Sequence, residues 1–170
     1  EFINKSFLPL VKRLVDLGVY QLVVFAPSFS KEVKQMAILN ARQAKTGKGF
    51  YFLLVEVGGY TTEEFEDLAI YTKARFFNVE KGGDYRNPGE GQSLLEVPRD
   101  LGKAKKIVVD RDNTFVIGGK GYQAQIDERI EDLKIQQEIE KTDEFKKRIG
   151  KRISALSGGV GLIEIGTETD

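Results

Sequence analysis

The apolar and polar positions alternate between two spacings along the first half of the chain. Residues 6–20 have helical spacing, with Ser6 as the predicted cap, and residues 20–26 form a continuous apolar run that Pro27 stops. A second helix, capped by Ser30, covers residues 31–45 and precedes a second apolar run at 50–57. Continuous apolar runs of this length are typical of strands buried on both faces. The pattern predicts helix, strand, helix, strand.

The second half continues as an α/β pattern and ends in charged helices. Thr61 or Thr62 caps a third helix over residues 62–74, and a short strand is expected at 75–79. Residues 81–98 lie in a loop rich in Gly, Pro and polar residues. A hairpin (105–110 and 114–119), two charged helices (122–140 and 143–156) and a last strand (161–166) follow. The predicted fold is α/β, a β-sheet core flanked by helices with a C-terminal pair of charged helices.

The first two helices carry more apolar residues than one buried face requires. At about 100° per residue, the first helix has two apolar stripes. The core stripe is predicted to be Phe7, Leu10, Leu14 and Leu17, and the spare stripe is Leu8, Val11 and Val15. The second helix has Met36 and Leu39 on one side and, nearly opposite, Val33, Ala37 and Ala41, with Ile38 at their margin. The spare stripes predict either an open apolar groove that binds another chain or packing under a further layer of the domain.

Composition narrows the function classes. The 170 residues suit one domain, and no segment approaches the roughly 20 apolar residues of a membrane span. Lys plus Arg equals Asp plus Glu at 26 each, so a nucleic-acid or membrane-surface partner is not expected. The chain has no Cys and no His, which excludes thiol nucleophiles, imidazole proton shuttles and their metal sites. Without a secretory signal at its start, the protein is expected to be cytoplasmic.

Two glycine clusters and two acidic pairs are candidate chemical sites. Residues 46–49 and 118–121 lack the P-loop spacing and the dinucleotide fingerprint, so turn glycines are expected. The pair Glu63 and Glu64 suits a helix start, and Asp110 and Asp112 suit a tight turn. No catalytic residue and no metal site is predicted.

Several motifs of the second half resemble the group I (GroEL-type) chaperonins. They are the run DLGKAK at 100–105, the hairpin with Asp112 and Thr114, the helix at 148–156 and the sequence SGGVGLIEIG that follows it. Upstream, INKSFLPLVKRL looks like the first groove helix of that family's apical domain, and VGGY at 57–60 occupies the place of its Pro-Gly-Phe turn. The resemblance extends over nearly the whole chain.

The resemblance implies an apical, polypeptide-binding domain at 1–157 that lacks its N-terminal segment, then a hinge and the start of an intermediate domain at 158–170. The implied partners are non-native polypeptides and a co-chaperonin, bound between two helices. The polypeptide-binding residues are then predicted to be Leu8, Val11, Val15, Val33, Ala37 and Ile38. Lys12 and Lys34 border this groove where the family commonly has acidic or small residues, which puts co-chaperonin pairing in question.

The resemblance also implies what the rest of the parent protein does. ATP and Mg would bind in other domains of a ring-forming ATPase, while this fragment would be monomeric, without cofactor and without enzyme activity. Gly158 and Gly159 are the predicted hinge, and a plain helix C-cap is the alternative. From another class, the alternative function is a small α/β enzyme that binds a phosphorylated ligand at Gly118–Gly121.

Overall fold

The computed structural model describes residues 4–44, 50–76, 99–110 and 113–164, with side chains for 10–43, 50–76, 99–110 and 113–159. Within these ranges the protein is a mixed α/β structure of five helices and two small sheets. The elements are α1 (Asn4–Asp16), β1 (Gln21–Ala26), α2 (Lys31–Ala44), β2 (Tyr51–Glu56), α3 (Thr62–Thr72), β3 (Ala104–Val109), β4 (Asn113–Gly119), α4 (Gln123–Ile139), α5 (Asp143–Ser157) and β5 (Val160–Glu164). The α/β class is confirmed.

The first of two compact units contains α1, β1, α2 and β2. β1 and β2 are parallel, with a register that runs from Gln21 opposite Tyr51 to Ala26 opposite Glu56. α2 is the crossover between them, as parallel pairing requires. Its core side is a cluster of Ala26, Phe29 and Val33, against which Val24 and Leu54 pack. This cluster fixes which face of α2 points inward.

Local sequence explains where α2 begins, whereas α1 starts earlier than predicted. Ser30 lies just before α2, and its Oγ accepts a hydrogen bond from the Val33 N–H at 3.4 Å, as expected for an N-cap. Ser6 lies inside α1, which begins at Asn4, so the prediction that Ser6 caps this helix is wrong. β1 is also less buried than its apolar run predicted, because its residues 22–25 are only half-buried.

The second unit contains the remaining elements. β3, β4 and β5 form an antiparallel sheet with β4 in the centre, which confirms the predicted hairpin and last strand. Thr61 caps α3 in a capping box: its Oγ1 accepts from the Glu64 N–H, and the Glu64 carboxylate accepts from the Thr61 N–H at 2.8 Å. β5 lies beyond the predicted domain boundary at 157/158, yet it pairs with β4 in this unit.

The strand predicted at 75–79 is not seen in its described part. Arg75 and Phe76 have no strand structure, and residues 77–79 lie outside the described ranges. The Phe76 ring instead stacks on Phe65 with centroids 6.1 Å apart, and Arg75 pairs with Asp100 at 3.2 Å. The loop predicted at 81–98 also lies outside those ranges. Of the described helices, none has the length and apolar character to cross a membrane.

Candidate functional site

The contact between α1 and α2 is the region where the sequence predicted an open apolar surface. Leu14 of α1 and Val33 of α2 are each 0% exposed and form the inward side of the two helices. Around α2, Met36, Ala37, Asn40 and Ala41 are half-buried on the same side as Val33. Only the side chains on the outward sides of both helices are therefore accessible to a binding partner.

Large apolar side chains are exposed on these outward sides. Ile38 is 55% exposed and Leu39 58% exposed, and we call these two residues the α2 apolar pair. On α1, Val15 is 37% exposed. A single exposed apolar residue is ordinary, whereas a contiguous exposed apolar patch usually marks an interaction surface, so the outward sides of α1 and α2 are the candidate site. This surface can bind other apolar groups.

The predicted binding residues have mixed outcomes. Val15 and Ile38 are exposed, as predicted, and Val11 and Ala37 are half-buried. The prediction that Val33 lines an open groove is wrong, because Val33 is buried in the core cluster with Ala26 and Phe29. The side chain of Leu8 lies outside the described residues.

Sequence reasoning also assigned two leucines to the wrong side. Leu39 was placed with Met36, opposite the groove, yet it is the more exposed member of the α2 apolar pair. Leu17 was predicted to be in the core and is 49% exposed, because α1 ends at Asp16 and Leu17 lies in the following turn.

The α2 apolar pair has a basic border. Lys31, Lys34 and Arg42 are exposed on α2, and Lys34 Nζ lies 2.6 Å from the Glu56 carboxylate in an ion pair that is about half exposed. Glu32 is the acidic residue in the first turn of α2. Its own backbone N–H, followed by the Ser30 hydroxyl, lowers the pKa of the Glu32 carboxyl. The Glu32 carboxylate therefore interacts with polar groups at the start of α2.

The glycine cluster at 118–121 is used for close packing against the end of α3. A Cβ on Gly119 would lie 2.3 Å from the Tyr71 carbonyl oxygen, and one on Gly121 would lie 2.1 Å from that of Ile70. The Gly121 N–H donates to the Tyr71 carbonyl at 2.9 Å, and the Lys120 N–H donates to the Lys103 carbonyl, just before β3, at 3.0 Å. These N–H groups are occupied, so they do not form a phosphate cradle.

The predicted hinge has the geometry of a helix end. Gly158 has φ −77° and its N–H donates to the Ser154 carbonyl at 2.9 Å, while Gly159 has φ +63°, a conformation that favours glycine. The Gly159 carbonyl accepts from the Tyr71 hydroxyl and from the Gly118 N–H. The C-cap alternative describes this geometry, and rotation about the pair stays a prediction.

Three helices of the second unit are joined by buried ion pairs. Asp67 of α3 is 7% exposed and accepts from Arg129 Nε of α4 and Arg152 Nε of α5, each at 2.6 Å. We call these three residues the Asp67 clasp. Beside it, Glu64 accepts from Arg148 Nε at 2.9 Å. Burial opposes the charge of Glu64, but the hydrogen bonds from Arg148 and the Thr61 N–H outweigh it and lower the pKa of the Glu64 carboxyl. The clasp is structural and offers no open site.

Away from α1 and α2, the described ranges contain a shallow depression and two exposed isoleucines. In the described ranges, no group of three or more carboxylates is placed to hold a metal ion. A shallow depression of about 310 Å³ lies between α3 and the start of α4, lined mainly by Ala69, Ile70, Ala74 and Phe76. Ile135 and Ile139 on α4 are also exposed, at 59% and 73%. No known family model matches this chain.

Proposed function

We propose that this chain is the apical, polypeptide-binding part of a group I-type chaperonin subunit, with non-native polypeptides as its partners. The observation that carries the proposal is the exposure of the α2 apolar pair, Ile38 and Leu39, on a helix that contacts α1 with its exposed Val15. The sequence resemblance in residues 100–105 and 148–166 supports the same function, since it points to the family independently of that exposure.

An exposed apolar surface is sufficient for the capture of non-native chains. Unfolded polypeptides share exposed apolar groups and not a common sequence, so an apolar surface on two helices binds many of them weakly. In a ring, several copies of the surface hold one client together and raise its overall affinity. Such a surface requires no catalytic residue in this part of the protein.

The remaining functions belong to the proposed parent protein. There, ATP and Mg bind in domains outside this chain, ATP hydrolysis drives the ring, and a co-chaperonin competes for the same surface. The isolated chain is a monomer without ATPase activity, in the cytoplasm. Phosphate binding at Gly118–Gly121 is disfavoured, because Lys120 and Gly121 already donate their N–H groups to carbonyls.

The test is capture of a permanently unfolded, reduced and alkylated protein, followed by fluorescence anisotropy. Changing Ile38 and Leu39 together to Ser should weaken capture strongly, because both side chains are more than half exposed and supply the apolar contact. The unfolding free energy should change by less than about 1 kcal/mol, as is usual for surface substitutions.

The matched control changes Ile135 and Ile139 to Ser, since these residues are equally apolar and at least as exposed but lie on α4. This control should capture the client as well as the unchanged protein does. Equal loss in both variants, or no loss in the first, would refute the proposed surface.

A further inference from the structure

We propose that the α2 apolar pair prefers apolar segments flanked by acidic residues over the same segments flanked by basic ones. This inference deepens the proposed function and rests on it. It names the chemical class of polypeptide that this surface selects. The preference follows from the charges that surround Ile38 and from their positions on α2.

Basic side chains lie on both sides of Ile38 along the outer face of α2. Lys34 and Arg42 are four residues before and after Ile38, and Lys31 is seven before it. On an ideal helix these three positions fall within about 40° of Ile38. All three residues are exposed, so their charges lie at the surface that a bound segment would contact.

Acidic residues are fewer than basic ones around α2, and none of those on α2 lies on the side of Ile38. Glu32 lies about 120° from Ile38 around the helix, and its carboxylate is held by the helix start. Glu56 pairs with Lys34 at 2.6 Å and offsets one of the three cations. Lys31 and Arg42 remain, and α1 adds exposed Lys12 and Arg13, which outnumber its exposed Asp16. The local charge is therefore positive although the whole chain has a net charge of zero.

Apolar contact and border charge have separate effects on binding. The α2 apolar pair supplies affinity for any apolar segment, since the hydrophobic effect is non-directional. Exposed charges at the border of an interface contribute little affinity each, but they discriminate between partners and depend on salt. We expect an acidic-flanked segment to bind about fivefold more tightly than its basic-flanked counterpart at low salt.

The experiment uses three synthetic peptides that share one apolar core and differ only in the flanking residues, which are Glu, Gln or Lys. Their dissociation constants are measured by anisotropy with the full chain at about 0.05 M and about 1 M salt, where the Debye length falls to about 3 Å. The expected order of affinity is Glu, then Gln, then Lys, and the differences should nearly vanish at the higher salt.

Two charge variants locate the origin of the preference. Lys31→Glu with Arg42→Glu should reverse the order of the peptides, and Lys31→Gln with Arg42→Gln should abolish it, while Lys34 keeps its pair with Glu56. The control variant, Lys141→Glu with Lys147→Glu, makes the same change in net charge at exposed positions near and on α5. It should keep the original order.

The outcomes separate this inference from the proposed function. Equal binding of all three peptides at low salt would overturn the charge preference and leave the apolar surface intact. An acidic preference that survives in both Lys31 and Arg42 variants would also overturn it, because the charges would then act from another surface. Failure to bind any of the peptides, together with failure to capture the unfolded client, would overturn both proposals.

Discussion

The Asp67 clasp allows a quantitative prediction about what holds the second unit together. Replacing Asp67 with Asn keeps the shape of the side chain and removes its charge. In the native protein both carboxylate oxygens accept short hydrogen bonds from arginines, and the side chains of Asp67, Arg129 and Arg152 are only 10%, 17% and 13% exposed. The substitution leaves two largely buried guanidinium groups without their shared partner.

The expected cost follows from that burial. Removing one member of a buried ion pair destabilises a protein by about 3 to 5 kcal/mol, because the remaining charge stays uncompensated. Arg129 also lies 3.8 Å from the Glu66 carboxylate, which partly compensates its charge and favours the lower end of this range. We expect Asp67→Asn to lower the free energy of unfolding by about 3 kcal/mol.

The assay is urea unfolding followed by circular dichroism, with the midpoint and slope compared between variants. The control is Glu131→Gln, which removes the exposed pair between Glu131 and Lys134 at 2.6 Å, with side chains 67% and 52% exposed. This control should change stability by no more than about 0.5 kcal/mol. If Asp67→Asn costs as little as the control, the clasp does not stabilise the packing of α3 on α4 and α5.

Three further predictions concern single positions in the second unit. Thr114 is 0% exposed, and the described structure gives its hydroxyl no hydrogen-bond partner, so Thr114→Val should raise the unfolding free energy by about 1 kcal/mol in a urea titration; a loss of stability would contradict this. Gly159→Ala should cost about 1 to 2 kcal/mol because of its positive φ, while client capture by the isolated chain stays unchanged, and an unchanged melting midpoint would show that this conformation carries no strain. The depressed pKa of Glu64 contributes stability that is present above the unfolded pKa of about 4.3 and lost as the pH falls through the folded value. The stability difference between the unchanged protein and Glu64→Gln should therefore shrink on acidification. A difference that stays constant between about pH 6 and about pH 3 would refute this prediction.

Sequence periodicity located most of the helices and strands because local rules govern their ends. Ser30 and Thr61 cap helices where capping chemistry predicted them, and the β3–β4 hairpin pairs as its pattern indicated. The exceptions have local causes as well. Leu17 lies outside the core because α1 ends at Asp16, and the helical periodicity of about 100° per residue applies only inside a helix.

The periodicity of the sequence could not predict the orientation of α2. A helical wheel shows two apolar arcs but does not tell which arc faces the sheet, and the choice depends on contacts made by residues before the helix. Phe29 and Ala26 pack on Val33, which turns Ile38 and Leu39 outward. The close packing of Gly121 on Ile70 was equally invisible in sequence, because it joins positions far apart in the chain.

The hydrogen bond from Tyr71 to the Gly159 carbonyl has a consequence for any rearrangement at the end of α5. Tyr71 is 4% exposed in the last turn of α3, and its partner carbonyl also accepts from the Gly118 N–H of β4. Reorienting the peptide group after Gly159 therefore breaks contacts to two other elements at once. The backbone at this point is thermodynamically coupled to the interior of the second unit, so a ligand or subunit that shifted one would change the stability of the other by the same free energy.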